Sequence, residues 1–292
     1  MKRVIKSGSF LMIIALCMVP ASGQAFNPLA HIYIAEHACP HCGPKVDYYY
    51  GSIAPDIALY VAEPAAWPTS FEDTHEDEDY IDLREFAWGS TQMAFARGWL
   101  THGQNSALPG ADYFAHIKYT RSSDSDPSAP GYVIEKAEEL SDTYSKFIDI
   151  DFAHYVIEAT IDLLLKKDDS TLPGKLFFAN LFRSWQDRSL LMRVYVWRWW
   201  QRRTDWLTLA TAELTFRQLV NRYAMALMLP APMDAKALAE LGAELASELF
   251  GLEGITAEML LDEILPAAID LCQDDYQIPI MEAISALSAC LP

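Results

Sequence analysis

Apolar residues recur at intervals of three and four positions through most of the chain, the spacing of amphipathic helices. Examples are Ala94, Ala96, Trp99 and Leu100, followed by Phe152, Tyr155, Val156, Ala159 and Leu163. Strand-like alternation is hard to find. Two acidic or Ser/Pro-rich stretches, residues 72–82 and 121–131, interrupt the helical pattern and are predicted to be surface loops. The pattern predicts an all-α, multi-helix protein.

The composition changes after residue 230. Pro230 and Pro232 end the preceding helical pattern, and the remainder is rich in Ala, Leu and Glu. Its spacing predicts three short helices, at residues 234–250, 256–272 and 278–289. We therefore expect a main domain over residues 26–229 and a C-terminal helical extension over residues 230–292.

The first 25 residues have the pattern of a secretory signal peptide. Three basic residues within the first six positions precede an apolar run at residues 10–19, and small side chains dominate residues 21–25. The apolar run is shorter than the roughly 20 residues that span a bilayer as a helix. We predict cleavage after Ala25 and a secreted or periplasmic protein.

An alternative is a lipoprotein cleaved before Cys17, although Leu16 is larger than the residue that such a cleavage site usually accepts. Beyond the predicted signal peptide, no stretch reaches about 18 apolar residues without a charge. We therefore expect no transmembrane segment in the mature chain.

The chain is strongly acidic, with 40 Asp and Glu against 22 Lys and Arg and a formal net charge of −18. Proteins that bind nucleic acids usually carry a basic surface, so a nucleic-acid partner is not expected. Bound cations would locally reverse the negative electrostatic field of the protein and would allow a phosphate group to approach.

Four cysteines follow the predicted signal peptide: Cys39, Cys42, Cys272 and Cys290. In an oxidising compartment an even number favours disulfides, with the connectivity left open. The CxxC run at residues 39–42 also resembles a zinc knuckle, but no second CxxC completes four ligands. We favour disulfides.

The segment Arg183–Trp206 holds six Arg and five Trp in a chain otherwise poor in positive charge. One interpretation is a helix that makes peripheral contact with lipid headgroups. We favour the other, in which Trp197 and Trp200 pack in the core and the Arg side chains pair with acidic residues.

Five of the seven histidines lie in helical contexts beside apolar or small residues: His31, His75, His102, His116 and His154. The clearest local pattern is His154 with Glu158. Residues four apart project from one helix face about 5–6 Å apart, close enough for one cation to bind both. Asp112 and His116 repeat this spacing. Each pair alone is also a common surface hydrogen-bonding pattern.

The order of five short motifs resembles that of the zinc-dependent phospholipase C family. These motifs are Asn-Pro-Leu-Ala-His-Ile-Tyr-Ile-Ala at 27–35, Gly-Ser-Ile-Ala-Pro-Asp at 51–56, Asp-Thr-His at 73–75, Gly-Trp-Leu-Thr-His at 98–102, and the pair His154 and Glu158. The phospholipase D that cleaves glycosylphosphatidylinositol anchors and the zinc-dependent single-strand nucleases are related to this family. The resemblance covers residues 26–165.

The resemblance implies an all-α domain with two to three zinc ions in one cleft. The ligands that it implies are Asp56, His75 and His102 for one zinc; His116, His154 and Glu158 for a second; and His31 with the backbone amine and carbonyl of Phe26 for a third. Cleavage after Ala25 would free the amine of Phe26, and a deprotonated amine binds metal.

One position departs from the family pattern. The family has an aspartate four residues after the equivalent of His102, where it bridges two zincs, and this chain has Ser106 there. The spacing of Asp112 and His116 matches that of some members, so a short insertion around residues 109–110 would restore the bridge through Asp112.

The resemblance implies a phosphoric diester hydrolase, most simply one that releases phospholipid headgroups, with Asp56 as the catalytic residue that orients or deprotonates water. The Pro55–Asp56 pair is closer to the lipase branch than to the nucleases. A nuclease or nucleotidase on the same scaffold and a non-catalytic zinc-binding envelope protein are the alternatives. Gly-x-Ser-x-Gly and a phosphate-binding Gly-rich loop are both absent from the sequence.

Overall fold

The computed structural model describes residues 27–75, 81–104, 106, 108–118, 130–197 and 203–291. Within these residues the chain forms thirteen α-helices and no strand, which confirms the predicted all-α class. The first seven are α1 (Pro28–Ala38), α2 (Lys45–Ile53), α3 (Ser70–His75), α4 (Gly89–His102), α5 (Tyr132–Thr143), α6 (Ile150–Asp168) and α7 (Leu172–Phe182). The others are α8 (Trp185–Leu191), α9 (Trp206–Met228), α10 (Met233–Phe250), α11 (Ala257–Met259), α12 (Leu265–Cys272) and α13 (Gln277–Cys290).

Shorter helical turns of other types connect these helices. The 3₁₀ turns are Ala54–Tyr60, Pro64–Ala66 and Leu83–Phe86, and the π turns are Tyr113–Ile117, Met192–Val196 and Leu260–Ile264. Tyr113–Ile117 follows Asp112 and contains His116, so two of the predicted metal ligands lie at a π turn. Such turns are often found at functional sites.

Side-chain caps fix the beginnings of the two longest helices. Asp149 accepts a hydrogen bond from the Phe152 amide at the start of α6, and Asp205 accepts from Leu207 and Thr208 at the start of α9. These carboxylates satisfy amides that have no partner within the helix. Helix α10 ends at Phe250, and the next residue, Gly251, adopts a positive φ of 67°, which a glycine accommodates without strain.

Helix α6 lies at the centre of the packing. It contacts α1, α5, α10 and α12, and its apolar side chains belong to one hydrophobic core that includes residues from both sides of position 230. Helix α2 packs against α4, and α7 against α9. The site residues on α1, α4 and α6 are therefore held by helices packed against the same core.

The C-terminal helices lie close to where the sequence predicts them. The prediction of a helix at 234–250 matches α10, and 278–289 matches α13, while 256–272 is divided into α11, a π turn and α12. Lys166 on α6 pairs with Asp234 and donates to the Leu229 carbonyl at the start of the extension. Helix α13 packs on α1.

Two details of the predicted loops and cysteines differ from the structure. The predicted loop at 72–82 is helical up to His75, and most of the loop predicted at 121–131 lies outside the described residues.

Cys39 and Cys42 form a disulfide rather than a zinc knuckle. The expectation that Cys272 and Cys290 are also disulfide-bonded is wrong, because both are free thiols, the first buried and the second exposed.

The prediction for the Arg/Trp-rich segment, residues 183–206, is confirmed for the pairing of Arg side chains with acidic residues but not for Trp197. Arg183 forms an ion pair with Glu213 at 2.5 Å, and Arg203 pairs with Asp73 at 3.3 Å. The prediction that Trp197 packs in the core is wrong, because its side chain is 61% exposed at the end of a π turn. Trp200 lies outside the described residues. In the described part of the chain, no helix combines the length and apolar character needed to cross a membrane.

Candidate metal centre

Three groups of buried metal-binding side chains meet in the described part of the chain, and the potential ligand atoms within each lie within 4.8 Å of one another. The first group is Asp56, His75 and His102; the second group is His116, His154 and Glu158; the third group is His31, His102 and Asp112. They contain all five histidines that the sequence singles out. The other two, His37 and His41, are exposed.

The first group joins a 3₁₀ turn, α3 and α4. The Oδ1 atom of Asp56 lies 3.6 Å from Nε2 of His75 and 3.4 Å from Nε2 of His102. The two imidazole Nε2 atoms are 3.1 Å apart. Two nitrogens and one oxygen therefore lie close enough together to bind one metal ion.

Hydrogen bonds on the far side of each ring determine which nitrogen faces that point. Nδ1 of His102 lies 2.8 Å from the Ser52 carbonyl. Nδ1 of His75 lies 2.6 Å from the Thr74 hydroxyl, which donates its own hydrogen to a backbone carbonyl, and 3.3 Å from the Phe71 carbonyl. A carbonyl only accepts, so we assign the ring hydrogens to Nδ1. When both rings are neutral, the two Nε2 lone pairs face each other, and a metal ion between them takes the place of the proton that His102 would otherwise hold. Metal-binding histidines are commonly oriented in this way.

The second group joins the π turn and α6. Nε2 of His154 lies 2.8 Å from Oε1 of Glu158 and 3.0 Å from Nε2 of His116, which is 3.6 Å from the same carboxylate oxygen. The pair His154 and Glu158 is one helical turn apart on α6, as the spacing predicts. The residues present thus fit a second site with two nitrogen donors and one oxygen donor.

Asp112 faces three of the buried histidines. Its Oδ1 lies 3.7 Å from Nε2 of His31, and its Oδ2 lies 3.4 Å from Nε2 of His102 and 3.8 Å from that of His75. The rings of His31 and His102 stack with their centroids 4.0 Å apart. The Asp112 carboxylate is fully buried, and neither oxygen accepts a hydrogen bond from a described residue. It is placed to contact cations in the first and third groups.

A closed loop brings Asp112 to this position. The Gly110 amide donates to the Gly103 carbonyl at 3.0 Å, so the two ends of the loop meet directly after His102. A Cβ on Gly110 would lie 2.8 Å from the backbone of Gly103, closer than real contacts allow. Ser106 is exposed within this loop. Ser106 thus lies at the surface while Asp112 reaches the buried histidines.

The local pairing of Asp112 with His116 that the sequence suggests is not what the structure shows. Asp112 joins the first and third groups, whereas His116 joins the second. The reason is tertiary packing: His116 meets His154 on α6, and the carboxylate of Asp112 turns instead toward His31 on α1 and His102 on α4.

Burial and mutual proximity shift the pKa values of the carboxyl and imidazole groups in this cluster. Burial raises the pKa of Glu158 well above its usual value, and the charges of Asp56 and Asp112 raise it further. Burial alone would raise the pKa of Asp56 and lower that of His102. The charge of His102 and hydrogen bonds from His102 and His75 nevertheless lower the pKa of Asp56, and Asp112 and Asp56 raise that of His102 to about 10. Buried carboxylates this close together are stabilised by a bound cation.

Asp162 is a residue of this region that the sequence analysis missed. It is buried on α6 and accepts hydrogen bonds from the amides of Leu29 and Ala30, at 3.0 and 2.9 Å, and from the Tyr223 hydroxyl. It thereby fixes the first turn of α1, which carries His31. The available signal was the spacing, because position 162 continues the four-residue interval of positions 154 and 158 on the same helix face.

Phe26, the predicted backbone ligand of the third zinc, lies outside the described residues. Its neighbour Asn27 is the first described residue, four positions before His31. The side-chain Nδ2 of Asn27 is buried, and no described residue accepts a hydrogen bond from it. The sequence analysis did not single out this amide, because it stands before Pro28 like an ordinary helix-capping residue.

Comparisons with known proteins add little to this geometry. No protein-family model matches the chain, and no solved structure matches it. An uncharacterized protein of Archaeoglobus fulgidus is 29% identical over 107 residues, which are 35% of this chain. The match spans only 30% of that relative's own length. Its name assigns no activity, so functional inference depends on the site itself.

Proposed function

We propose that this protein is an exported, zinc-dependent phosphodiesterase that releases phosphorylated headgroups from phospholipids, as the motif resemblance implies. The observation that carries the proposal is the cluster of three buried groups of His, Asp and Glu side chains that share one region of the core. The nitrogen and carboxylate donors are those that zinc prefers. Two to three zinc ions would be held by the first, second and third groups.

Zinc supplies charge that offsets the negative oxygens of a phosphate and makes water more acidic. Side chains of this protein would orient the metal ligands and accept a proton from water. His75 and His102 are fixed in orientation by their hydrogen bonds to backbone carbonyls. Asp56 lies at the lining of the adjacent pocket, where its carboxylate can accept a proton from an attacking water. Asp56 is therefore the proposed general base or water-orienting residue.

The proposed third zinc also depends on export. Cleavage after Ala25 would leave the amine of Phe26 free, five residues before His31, and Asp162 holds the intervening first turn of α1. A secreted or periplasmic location remains part of the proposal. The acidic chain makes nucleic acid an unfavourable substrate.

Peripheral contact with lipid is proposed for the surface near Arg183–Trp206. Trp185 is 74% exposed at the start of α8, and Phe178 and Phe182 on α7 are 55% and 61% exposed, with their rings stacked. Exposed aromatic side chains of this kind are found where proteins meet the membrane interface. Arg188 lies on the same short helix.

The proposal is tested with a panel of substrates on zinc-supplemented, processed protein. The panel contains a short-chain phosphatidylcholine, bis(p-nitrophenyl) phosphate and a single-stranded oligonucleotide. We expect cleavage of the lipid and little of the oligonucleotide. Asp56→Asn should lower kcat by about 100-fold or more. His37→Ala, which changes an exposed histidine outside the three groups, should leave the rate within about two-fold.

The other outcomes favour the alternatives. Preferential cleavage of the oligonucleotide would establish a nuclease on this scaffold. Stoichiometric zinc without hydrolysis of any diester would establish a non-catalytic zinc-binding protein.

A further inference from the structure

The disulfide between Cys39 and Cys42 joins the end of α1 to the loop before α2, and the proposed phosphodiesterase makes no use of it. The two residues between the cysteines, Pro40 and His41, are exposed, and so is Gly43 after them. Cys39 is 8% exposed and Cys42 is 1% exposed. The disulfide therefore lies just below the surface, and Cys39 is its more accessible half.

A disulfide across so few residues stabilises the fold least. Its cysteines are three positions apart, and the entropy that a disulfide removes from the unfolded chain is smallest for short loops. Hydrogen bonds already join the same helices. The Tyr48 hydroxyl of α2 donates to the Ala35 carbonyl of α1 at 2.9 Å, and the Tyr49 hydroxyl donates to Glu36 at 2.7 Å. We therefore expect the junction of α1 and α2 to survive reduction of the disulfide.

Packing holds the backbone on both sides of the cysteine pair. Gly43 has a φ of 117°, a conformation that favours glycine, and a Cβ there would lie 2.8 Å from the Cβ of Ala94 on α4. Before the pair, the Ser288 hydroxyl of α13 donates to the Ala38 carbonyl at 3.2 Å. These contacts would keep the two sulfurs adjacent in the reduced protein, so that the bond could form again.

The local charge favours a thiolate at Cys42. Residues 37–46 contain no Asp or Glu, although the whole chain carries a net charge of −18. His41 lies between the cysteines, and α2 begins at Lys45 with an N-cap residue, Pro44, that makes no side-chain hydrogen bond. A nearby positive charge and the positive end of a helix both stabilise a thiolate. A stabilised thiolate is a good leaving group in thiol–disulfide exchange.

We propose that the C-x-x-C motif at residues 39–42 is a redox-active disulfide that oxidises exposed dithiols of peptide substrates. A thiolate of the substrate attacks Sγ of Cys39, the bond between the two sulfurs breaks, and Cys42 leaves as a thiolate. The second thiolate of the substrate then attacks the substrate sulfur of this mixed disulfide and releases Cys39.

The substrate gives up two electrons and becomes a disulfide, while the motif becomes a dithiol. The two protons released by the substrate thiols balance the two taken up by Cys39 and Cys42. None of the side chains in the three metal groups takes part, so this activity does not rest on the proposed phosphodiesterase.

The first measurement tests whether the motif is reduced and reoxidised in the folded protein. Full-length protein carrying Cys290→Ser, which removes the exposed free thiol, is equilibrated in buffers of reduced and oxidised glutathione. Maleimide labelling with mass spectrometry counts the thiols, and circular dichroism follows the helices. We expect two additional thiols to appear across the glutathione range with the helical signal retained. A disulfide that stays oxidised until the helices unfold would overturn the proposal, because structural disulfides resist glutathione.

The second measurement follows turnover of a fluorescent peptide that contains two cysteines. In the same Cys290→Ser background, we expect the oxidised protein to oxidise this peptide at least about ten-fold faster than the Cys39→Ser variant does. His37→Ala, which changes an exposed histidine outside the motif, should leave the rate unchanged. Equal rates in the parent protein and Cys39→Ser would establish a structural disulfide and overturn the proposal.

The third measurement tests which cysteine reacts with the substrate. With oxidised glutathione, Cys42→Ser should form an adduct at Cys39 at least about ten-fold faster than Cys39→Ser forms one at Cys42, because Cys39 is the more accessible. Faster modification of Cys42 would contradict the assigned order of attack. If either serine variant fails to fold, the glutathione titration of the Cys290→Ser protein decides.

Discussion

Asp112 links two of the three metal groups through a single side chain. One carboxylate oxygen faces His31 and the other faces His75 and His102, all at 3.4–3.8 Å. Ser106, four residues after His102, is exposed on the preceding loop. Of these two residues, only Asp112 presents a carboxylate to the buried histidines.

We expect Asp112→Asn to remove at least one equivalent of bound metal, because the neutral amide supplies less charge to both groups that it faces. Ser106→Ala should leave the metal content unchanged. Elemental analysis of the two purified variants measures the metal content of each. Loss of metal in the Ser106 variant with retention in the Asp112 variant would show that the bridge is assigned to the wrong residue.

Asp187 gives a separate prediction away from the metal groups. Burial raises its pKa to about 9, and the charge of Asp47 and a hydrogen bond with it add to the effect, while the charge of Arg183 opposes it. The folded state therefore holds a proton that the unfolded state releases above about pH 4. This contribution to stability is lost as the pH rises from about 4 to 9.

Asp187→Asn should remove this dependence, because an amide does not ionise in this pH range. Between pH 5 and pH 8, urea denaturation should show the wild-type free energy of unfolding falling by at least about 1 kcal/mol more than that of the variant. Asp274→Asn, at an exposed position, is the control. Equal pH dependence in wild type and Asp187→Asn would mean that this carboxyl is ionised in the folded protein.

At the scale of single residues, local spacing could predict part of the site. The pair His154 and Glu158 follows from one helical turn, and the motif order points to His31, His75 and His102. The burial of the Asn27 amide could not be predicted, because it depends on packing between helices distant in sequence.

Among the helices, the crossing of α2 and α4 sets the geometry of the first group. A Cβ on Gly98 would lie 2.0 Å from the Tyr48 carbonyl, and one on Gly51 would lie 2.1 Å from the Phe95 carbonyl. The absence of side chains lets the two helices touch. Ser52 at the end of α2 then accepts from His102 at the end of α4.

Gly98→Ala should force α2 and α4 apart. We expect it to lower the free energy of unfolding by about 1–3 kcal/mol or more and to weaken metal binding, because His102 moves away from Asp56. Gly174→Ala on α7, where an added Cβ meets nothing within 4 Å, should instead raise stability by a few tenths to about 1 kcal/mol. Thermal melts and zinc titration of both variants test this. Unchanged zinc affinity in Gly98→Ala would contradict the link between the crossing and the site.

Helix positions were more predictable than helix types. The 3.6-residue pattern placed α10 and α13 to within a residue or two, but it could not distinguish the π turns Tyr113–Ile117 and Leu260–Ile264 from α-helix. A single π turn of five residues is too short to give an apolar period of its own. The spacing of Asp112 and His116 suggested a shared cation, whereas tertiary packing assigns the two residues to different groups.

In the molecule as a whole, the C-terminal extension and the metal groups are connected through the core. The extension packs on α6, α9 and α1, which carry or flank site residues. The composition change at residue 230 indicated the helices but not this packing, because contacts between distant helices leave no local pattern in the sequence. The net charge of −18 is consistent with a protein in which buried cations supply the positive charge at its site.

The metal stoichiometry of the mature chain decides whether the three groups hold zinc as proposed. It is measured by elemental analysis of protein carrying its processed N-terminus, purified without chelator. We expect two to three zinc ions per chain, with one fewer in a protein whose N-terminus is blocked by a tag. At most one equivalent of zinc in the processed protein would contradict it.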